Sequence, residues 1–531
     1  MTLQNAIWRR LLRAAAAGCA LWIGVAAMGA APIVRPYETR DDFAAKNRID
    51  EIVLAKQRAE AIQPAHLCSD EVFLRRAYLD VAGTLPEPAE LRAFLLNRRP
   101  DKRAALIDAL LEREEFADYW SLKWCDLLRV KSEFPINLWP NATQAYHRWI
   151  RDAVRSNMPY DEFARALLTS SGSNFRVAPV NFCRAIQGRD PSSIAAAVAL
   201  TFMGTRLETW PEADREGMAA FFSRILYKGT AEWKEEIVCL DPAATDTLKA
   251  AFPGGAAVEI PAGQDPRQVF ADWLIDAENP WFARAIANRV WFWMMGRGIV
   301  HEPDDIRPGN PPSNPELLEY LADELEAADY DLRHLFRLIL NSRTYQQSSI
   351  PQAAGPKAEA LFAWYPVRRL DAEVLVDALN WLAGAGDENY ISMIPEPFTY
   401  IPPTQRTIAL ADGSISSPFL EMFGRPARDT GLELERNNQP TEAQRLHLLN
   451  STEVQRALDN SRRLRGVISA AGRDRAALIR GLYATILTRQ PTEEEIAIAE
   501  RVLPGRGAPS RQAVSDLAWA LVNSKEFLYR H

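Results

Sequence analysis

Asp304 and Asp305 stand side by side in a turn-rich span, with His301 just before them and Arg307 just after. Grouped this way, one carboxylate can act as general base while the other orients it, with His301 in the same neighbourhood, or the two acids can hold a hard cation. Asn288, Arg289, Trp291, Arg297, Arg307 and Asn310 surround them in sequence and supply hydrogen-bond donors, an aromatic face and guanidinium groups suited to an anionic substrate. The catalytic candidates are therefore Asp304, Asp305 and His301, and the other six are the ligand-binding candidates. The same residues have a structural use, because Asp-rich turns with proline usually cap helices and buried Arg–carboxylate pairs tie loops down. Arg369 and Glu373, spaced i, i+4, read as a helical ion pair. His447, with Glu435 and Arg436 upstream, is a third possible contributor, although a satisfied helix histidine is the commoner role.

Other chemistries lack their parts. The chain has no GxGxxG, Walker loop, HExxH or GxSxG motif, and no two of its six histidines lie within four residues of each other. Beyond residue 30 the cysteines are Cys68, Cys125, Cys183 and Cys239, with no CxxC pair, so they form disulfides or remain buried thiols. No metal site and no cofactor are expected.

The elements that must position these residues are helical. Leu317, Leu318, Leu321 and Leu325, then Leu332, Leu335, Phe336 and Ile339, recur at helical spacing, and Pro86, Pro88, Pro315 and Pro491 stand where helices begin. Trp120 and Trp124 share one helix face, while Trp281, Trp291 and Trp293 flank Asn288-Arg289-Val290-Trp291. Aromatic platforms stack sugars, but tryptophan at helical spacing is ordinarily core. Residues 236–264 break the helical pattern and read as two short strands with loops.

A pattern recurs along the chain. Tyr78 is followed by Pro86, Glu90 and a helix ending at Phe116; Tyr483 is followed by Pro491, Glu495 and a helix ending at Phe527; and Leu338 to Tyr345 resembles the second half of each. Reused helical hairpins account for it. The fold expected is mainly α, with two helical domains built from repeated helical hairpins and a short β/loop segment between them. The divisions are a signal peptide over 1–30, a first domain over 31–240, a linker with short strands over 241–265, and a second domain over 266–531. The signal peptide rests on Arg9, Arg10 and Arg13 ahead of an apolar run that is too short for a stable membrane span. A periplasmic or secreted location follows. With 47% hydrophobic residues and 15 Trp the chain is neither disordered nor fibrous, and a net charge of −7 excludes a nucleic-acid coat.

Residues 73–86, Asn288-Arg289-Val290-Trp291, 296–300, 304–308, 310–313 and 340–345 resemble the paired planctomycete domains of unknown function fifteen forty-nine and fifteen fifty-three. The similarity continues through 368–373, 423–426, 447–450 and 523–527. It implies a secreted protein of a family whose members often carry an attached cytochrome c and have no settled activity. The departures from that pattern are specific. After the helix over 194–202 the family's CxxCH segment is replaced by 203–215, Trp293 and Asn314 stand where histidines are expected, and 432–436 lacks the family's cysteine. Haem attachment and soft-metal binding need thiolate and imidazole, so the resemblance implies a relative without those ligands. Two functions are therefore expected. One is an exported binding or scaffold component of an extracytoplasmic complex with another exported protein as partner; the other is an extracytoplasmic enzyme, a hydrolase or redox component, acting on carbohydrate through Asp304, Asp305 and Arg289.

Overall fold

Short polar side chains and prolines open most of the helices, satisfying amides that have no partner within the helix. Asn314 caps Pro315–Ala327, Asp331 caps Leu332–Leu340, and Asp265 caps Pro266–Leu274. Glu87 with Glu90, and Thr492 with Glu495, form capping boxes at the starts of Pro88–Leu96 and Glu493–Val502. Arg113 then bridges Glu90 and Glu115, as Arg489 bridges Glu495 and Glu526.

The computed structural model describes residues 33–41, 43–384, 401–402, 404–503 and 509–531. The segment read as a signal peptide, 1–30, lies outside the described residues. The fold is mainly helical, with small antiparallel sheets. Strand content is concentrated where the helical pattern fails. Glu236–Leu240 is flanked by Ile225–Gly229 and Gly172–Ser173, and Leu248–Ala251 pairs with Ala257–Ile260. The β region thus starts earlier than the expected linker, and one of its strands comes from residue 172.

Pro36–His531 forms one compact unit with a continuous hydrophobic core from Ile49 to Phe527. Where two domains were expected, side chains from both halves share that core. Arg75 on Asp70–Ala77 donates to the carbonyls of Ile486 and Phe527 at 3.0 and 3.1 Å. The last strand, Tyr529–Arg530, pairs with Arg368–Arg369. Trp120 and Trp124 on Glu114–Leu127 are core residues. Trp120 donates Nε1–H to the Val81 carbonyl at 3.0 Å, and both rings pack on Trp293, with centroids 5.0 and 5.9 Å away.

Candidate functional site

Arg289 lies on the buried face of Phe282–Met295 and is 1% exposed. Its Nη1 donates to the Thr201 carbonyl at 2.7 Å, and its Nη2 to the Leu200 carbonyl at 3.3 Å and to Asp304 Oδ1 at 2.8 Å. The other oxygen of Asp304 accepts the backbone N–H of Glu433 at 2.6 Å, at the start of the 3₁₀ turn Glu433–Glu435. Asp304 is fully buried, so it clamps three segments together and faces no substrate. The other candidates spread away from it. Asp305 pairs with the half-exposed Arg307 at 2.8 Å. Asn310 donates to the carbonyls of His301 and Asp305 at 3.0 and 2.9 Å, closing the outer turn. Asn288 is used twice on Val300, donating to its carbonyl at 3.0 Å and accepting its N–H at 2.9 Å. Trp291 is fully buried edge-on to Phe362, and Arg297 leans toward Glu359 at 3.9 Å. The grouping in sequence therefore divides in space into a buried clamp and a surface turn, because residues in a turn point in successive directions.

Of these candidates His301 lines a cavity. Burial, and then Arg297, holds its ring below the usual imidazole range. The cavity has a volume of 640 Å³. Its walls are Tyr119, Trp120 and Lys123 from Glu114–Leu127; Phe292 and Trp293 from Phe282–Met295; Arg368, Arg369 and Asp371; Glu433, Arg436 and Asn438; and the carboxy-terminal Tyr529 and Arg530. Asp371, the residue before Ala372–Ala383, is the hub. It accepts from Tyr119 Oη at 2.6 Å, Asn438 Nδ2 at 2.6 Å and Arg530 Nη2 at 2.9 Å, and pairs with Lys123 Nζ at 2.9 Å. Burial opposes its charge, but Lys123, Arg530 and Arg436 outweigh burial and hold its carboxyl well below the usual range. Arg436 is bidentate to Glu373, at 2.6 and 3.1 Å, and also reaches Asp126 at 2.6 Å. Arg369 donates to the carbonyls of Phe423, Asn437 and Asn438, so the ion pair expected between Arg369 and Glu373 gives way to Glu373–Arg436. Burial, then Arg436, lowers the Lys123 ammonium.

Glu433 behaves differently. Its Oε1 accepts the Trp293 indole N–H at 3.0 Å, while Oε2 stands 3.9 Å from Arg289 Nε without a hydrogen bond. Burial pushes its carboxyl up to about 7; Arg289 opposes this and Asp304 reinforces it. Two acids share one guanidinium already committed to Asp304, so Glu433 keeps its proton to higher pH than an ordinary carboxyl.

The ion-pair network behind the cavity joins Lys123, Arg368, Arg425, Arg428, Arg436 and Arg530 to Asp80, Asp126, Asp371 and Glu373. Six cations thus meet four carboxylates. Arg369 adds one more cation, and Asp412, held by Ser132 and Ser414, and Glu433 on the wall add two acids, so seven cations face six acids. Burial, and then Arg428, lowers Arg425 to about 10, against the opposing pull of Glu373, Asp126 and Asp412. Most of these residues escape a local reading of sequence. Lys123 left a signal, since it follows Trp120 by three residues and precedes Leu127 by four, on the helix's apolar stripe. His447 is elsewhere, packed edge-on against Phe419 and Phe423. Among the described residues no group of three or more His, Cys, Asp or Glu is placed to hold a metal ion, and no helix is long and apolar enough to cross a membrane.

Comparison with known proteins finds families without a known activity. Residues 48–224 match the model of a protein family of unknown function, DUF1549 (PSCyt2), and residues 266–503 match a second, DUF1553 (PSD1). The interval between the matches contains the strands Ile225–Gly229 to Ala257–Ile260. No curated protein and no solved structure matches the chain.

Proposed function

We propose that this protein is an exported binding protein whose cavity takes up a small carboxylate-bearing sugar. The observation that carries the reading is the excess of buried cations around a 640 Å³ cavity walled by Trp120, Trp293, Tyr119 and Tyr529. That volume falls within the roughly 300–1,000 Å³ usual for ligand sites. A carboxylate would neutralise the excess, and the aromatic walls suit the apolar faces of a pyranose ring. Export and work beside another exported protein rest on the basic and apolar pattern of residues 1–30. Departures from the expected family pattern supply further support. Two of them meet here: Trp293 donates to Glu433 of the 432–436 run, whose backbone N–H reaches Asp304, and the helix that precedes the replaced 203–215 segment offers its Leu200 and Thr201 carbonyls to Arg289. In this reading the ligands of a haem or metal site have given way to a salt-bridged clamp.

The experiment is calorimetric titration of the protein from residue 31 with D-galacturonate and with D-galactose. Galacturonate should bind, more weakly as salt is raised, and galactose should not; Lys123→Met should weaken binding, and Asp305→Asn should leave it unchanged. Equal binding of the two sugars, or no binding of either by folded protein, overturns the reading. An enzymatic reading moves from Asp304 and Asp305 to Glu433, the one acid of the cavity wall held near neutrality. It requires hydrolysis of a uronate oligosaccharide that Glu433→Gln abolishes without loss of binding.

A further inference from the structure

Arg129 is a buried guanidinium with almost nothing to hold it. It is 6% exposed, its Nε donates to the Thr430 carbonyl at 3.0 Å, its Nη1 has no hydrogen-bond partner, and no carboxylate pairs with it among the described residues. Ionised groups buried this way ordinarily carry a counter-charge, because burying a lone charge is far costlier than burying a paired one. The backbone bears strain as well, with Arg129 in the left-handed region at φ 57° just beyond the end of Glu114–Leu127. The covering loop is fitted to it. Gly431, at φ 73°, passes so close that a Cβ there would lie 2.7 Å from Arg129 Cζ and 2.6 Å from the Leu127 carbonyl.

Beside Arg129 lies a second cavity, of 380 Å³, distinct from the first, with the 429–436 segment contributing to both: Leu432 lines this one and Glu433 the other. Its other cation is Arg206, 40% exposed, whose Nε is also unpartnered and whose Nη2 reaches Glu302 only at 3.5 Å. The acids on its wall are accounted for: Asp429 is bound by Lys131 at 2.7 Å, and Glu208 is exposed. The hydroxyls of Ser193 and Thr430 are donated to Asp190 and Glu435, at 2.6 and 2.9 Å. The charged donors left to a ligand are the guanidiniums, with the Gln187 side chain also on the wall.

We propose that the cavity at Arg129 and Arg206 binds a tetrahedral oxyanion, a sulfate or phosphate ester carried on a sugar-sized molecule. The geometry suits this charge, since planar guanidiniums present parallel N–H donors to such an anion. The volume leaves room for more than the ion. Burial, opposed by Tyr146 and Glu435, lowers Arg129 to about 10, consistent with a cation short of negative charge.

Titrate the protein from residue 31 with glucose 6-sulfate and glucose 6-phosphate, alongside sodium sulfate, sodium phosphate and sodium chloride at equal ionic strength. One ester should bind saturably, and the tighter of the two identifies the source of the oxyanion. Arg206→Gln, at a partly exposed position, should weaken binding roughly tenfold, the loss of one charge-assisted hydrogen bond. Arg129→Met keeps the aliphatic stem and removes the charge; it should abolish binding while its unfolding midpoint does not fall, because an uncompensated charge has gone. Absence of saturable binding of both esters, binding that persists in folded Arg129→Met, or binding unchanged in Arg206→Gln overturns the proposal.

Discussion

Replacing Glu433 by glutamine separates the charge of that side chain from its shape. In the folded chain the carboxyl is pushed up to about 7 by burial and by Asp304, against an ordinary value of 4.5. The folded protein therefore holds a proton that the unfolded chain releases, and stability falls as pH rises through that interval. The difference corresponds to about 3 kcal/mol, fully expressed above neutrality. Glutamine imitates the protonated acid. Its carbonyl can accept the Trp293 indole N–H as Oε1 does at 3.0 Å, and it carries no charge to repel Asp304. Urea unfolding followed by tryptophan fluorescence should find Glu433→Gln more stable than the parent by less than about 1 kcal/mol at pH 5 and by about 3 kcal/mol at pH 8. A difference independent of pH, or a variant less stable at pH 8, would refute the argument that two acids compete for Arg289.

Asp304→Asn leaves the Arg289 guanidinium buried without its carboxylate and should cost about 3–5 kcal/mol in the same unfolding assay. Asp305→Asn, at the surface turn, should stay within about 0.5 kcal/mol of the parent. Trp293→Phe removes the donor that helps to hold Glu433 ionised, so the fall of stability with pH should begin at the same pH but continue to higher pH and run deeper; an upper limit that does not move would count against this bond. Cys68, Cys125 and Cys183 are buried, Cys239 is half-buried and all four are free thiols. A thiol reagent should label Cys239 first and the others only on unfolding, and fewer than four reactive thiols in denatured, unreduced protein from residue 31 would contradict it.

Helix formation was legible because its causes are local. The caps at Asn314, Asp331 and Thr492 act on amides two or three residues away, and the tryptophans at 120 and 124 declare a buried stripe by spacing alone. The failure of helical pattern over 236–264 likewise marked strands, although pairing with Gly172–Ser173 depends on a partner far off in the chain. Site reading went astray for the same physical reason. Asp304 and Asp305 are neighbours in sequence, yet one is enclosed by Arg289 and Glu433 while the other joins Arg307 at the surface. Adjacent positions in a turn need not share a direction.

What the sequence determined by itself was a helical chain, its proline-marked helix starts, its aromatic stripes and the absence of familiar catalytic motifs. The tertiary structure decided which charges are buried and with whom. The hub at Asp371 draws on Tyr119, Lys123, Asn438 and Arg530, and the clamp at Asp304 on Arg289 and Glu433. A helix closes hydrogen bonds over four residues and so is written in four-residue patterns. The charge of a buried site depends on desolvation and on partners brought together from distant segments, and only the folded chain supplies both.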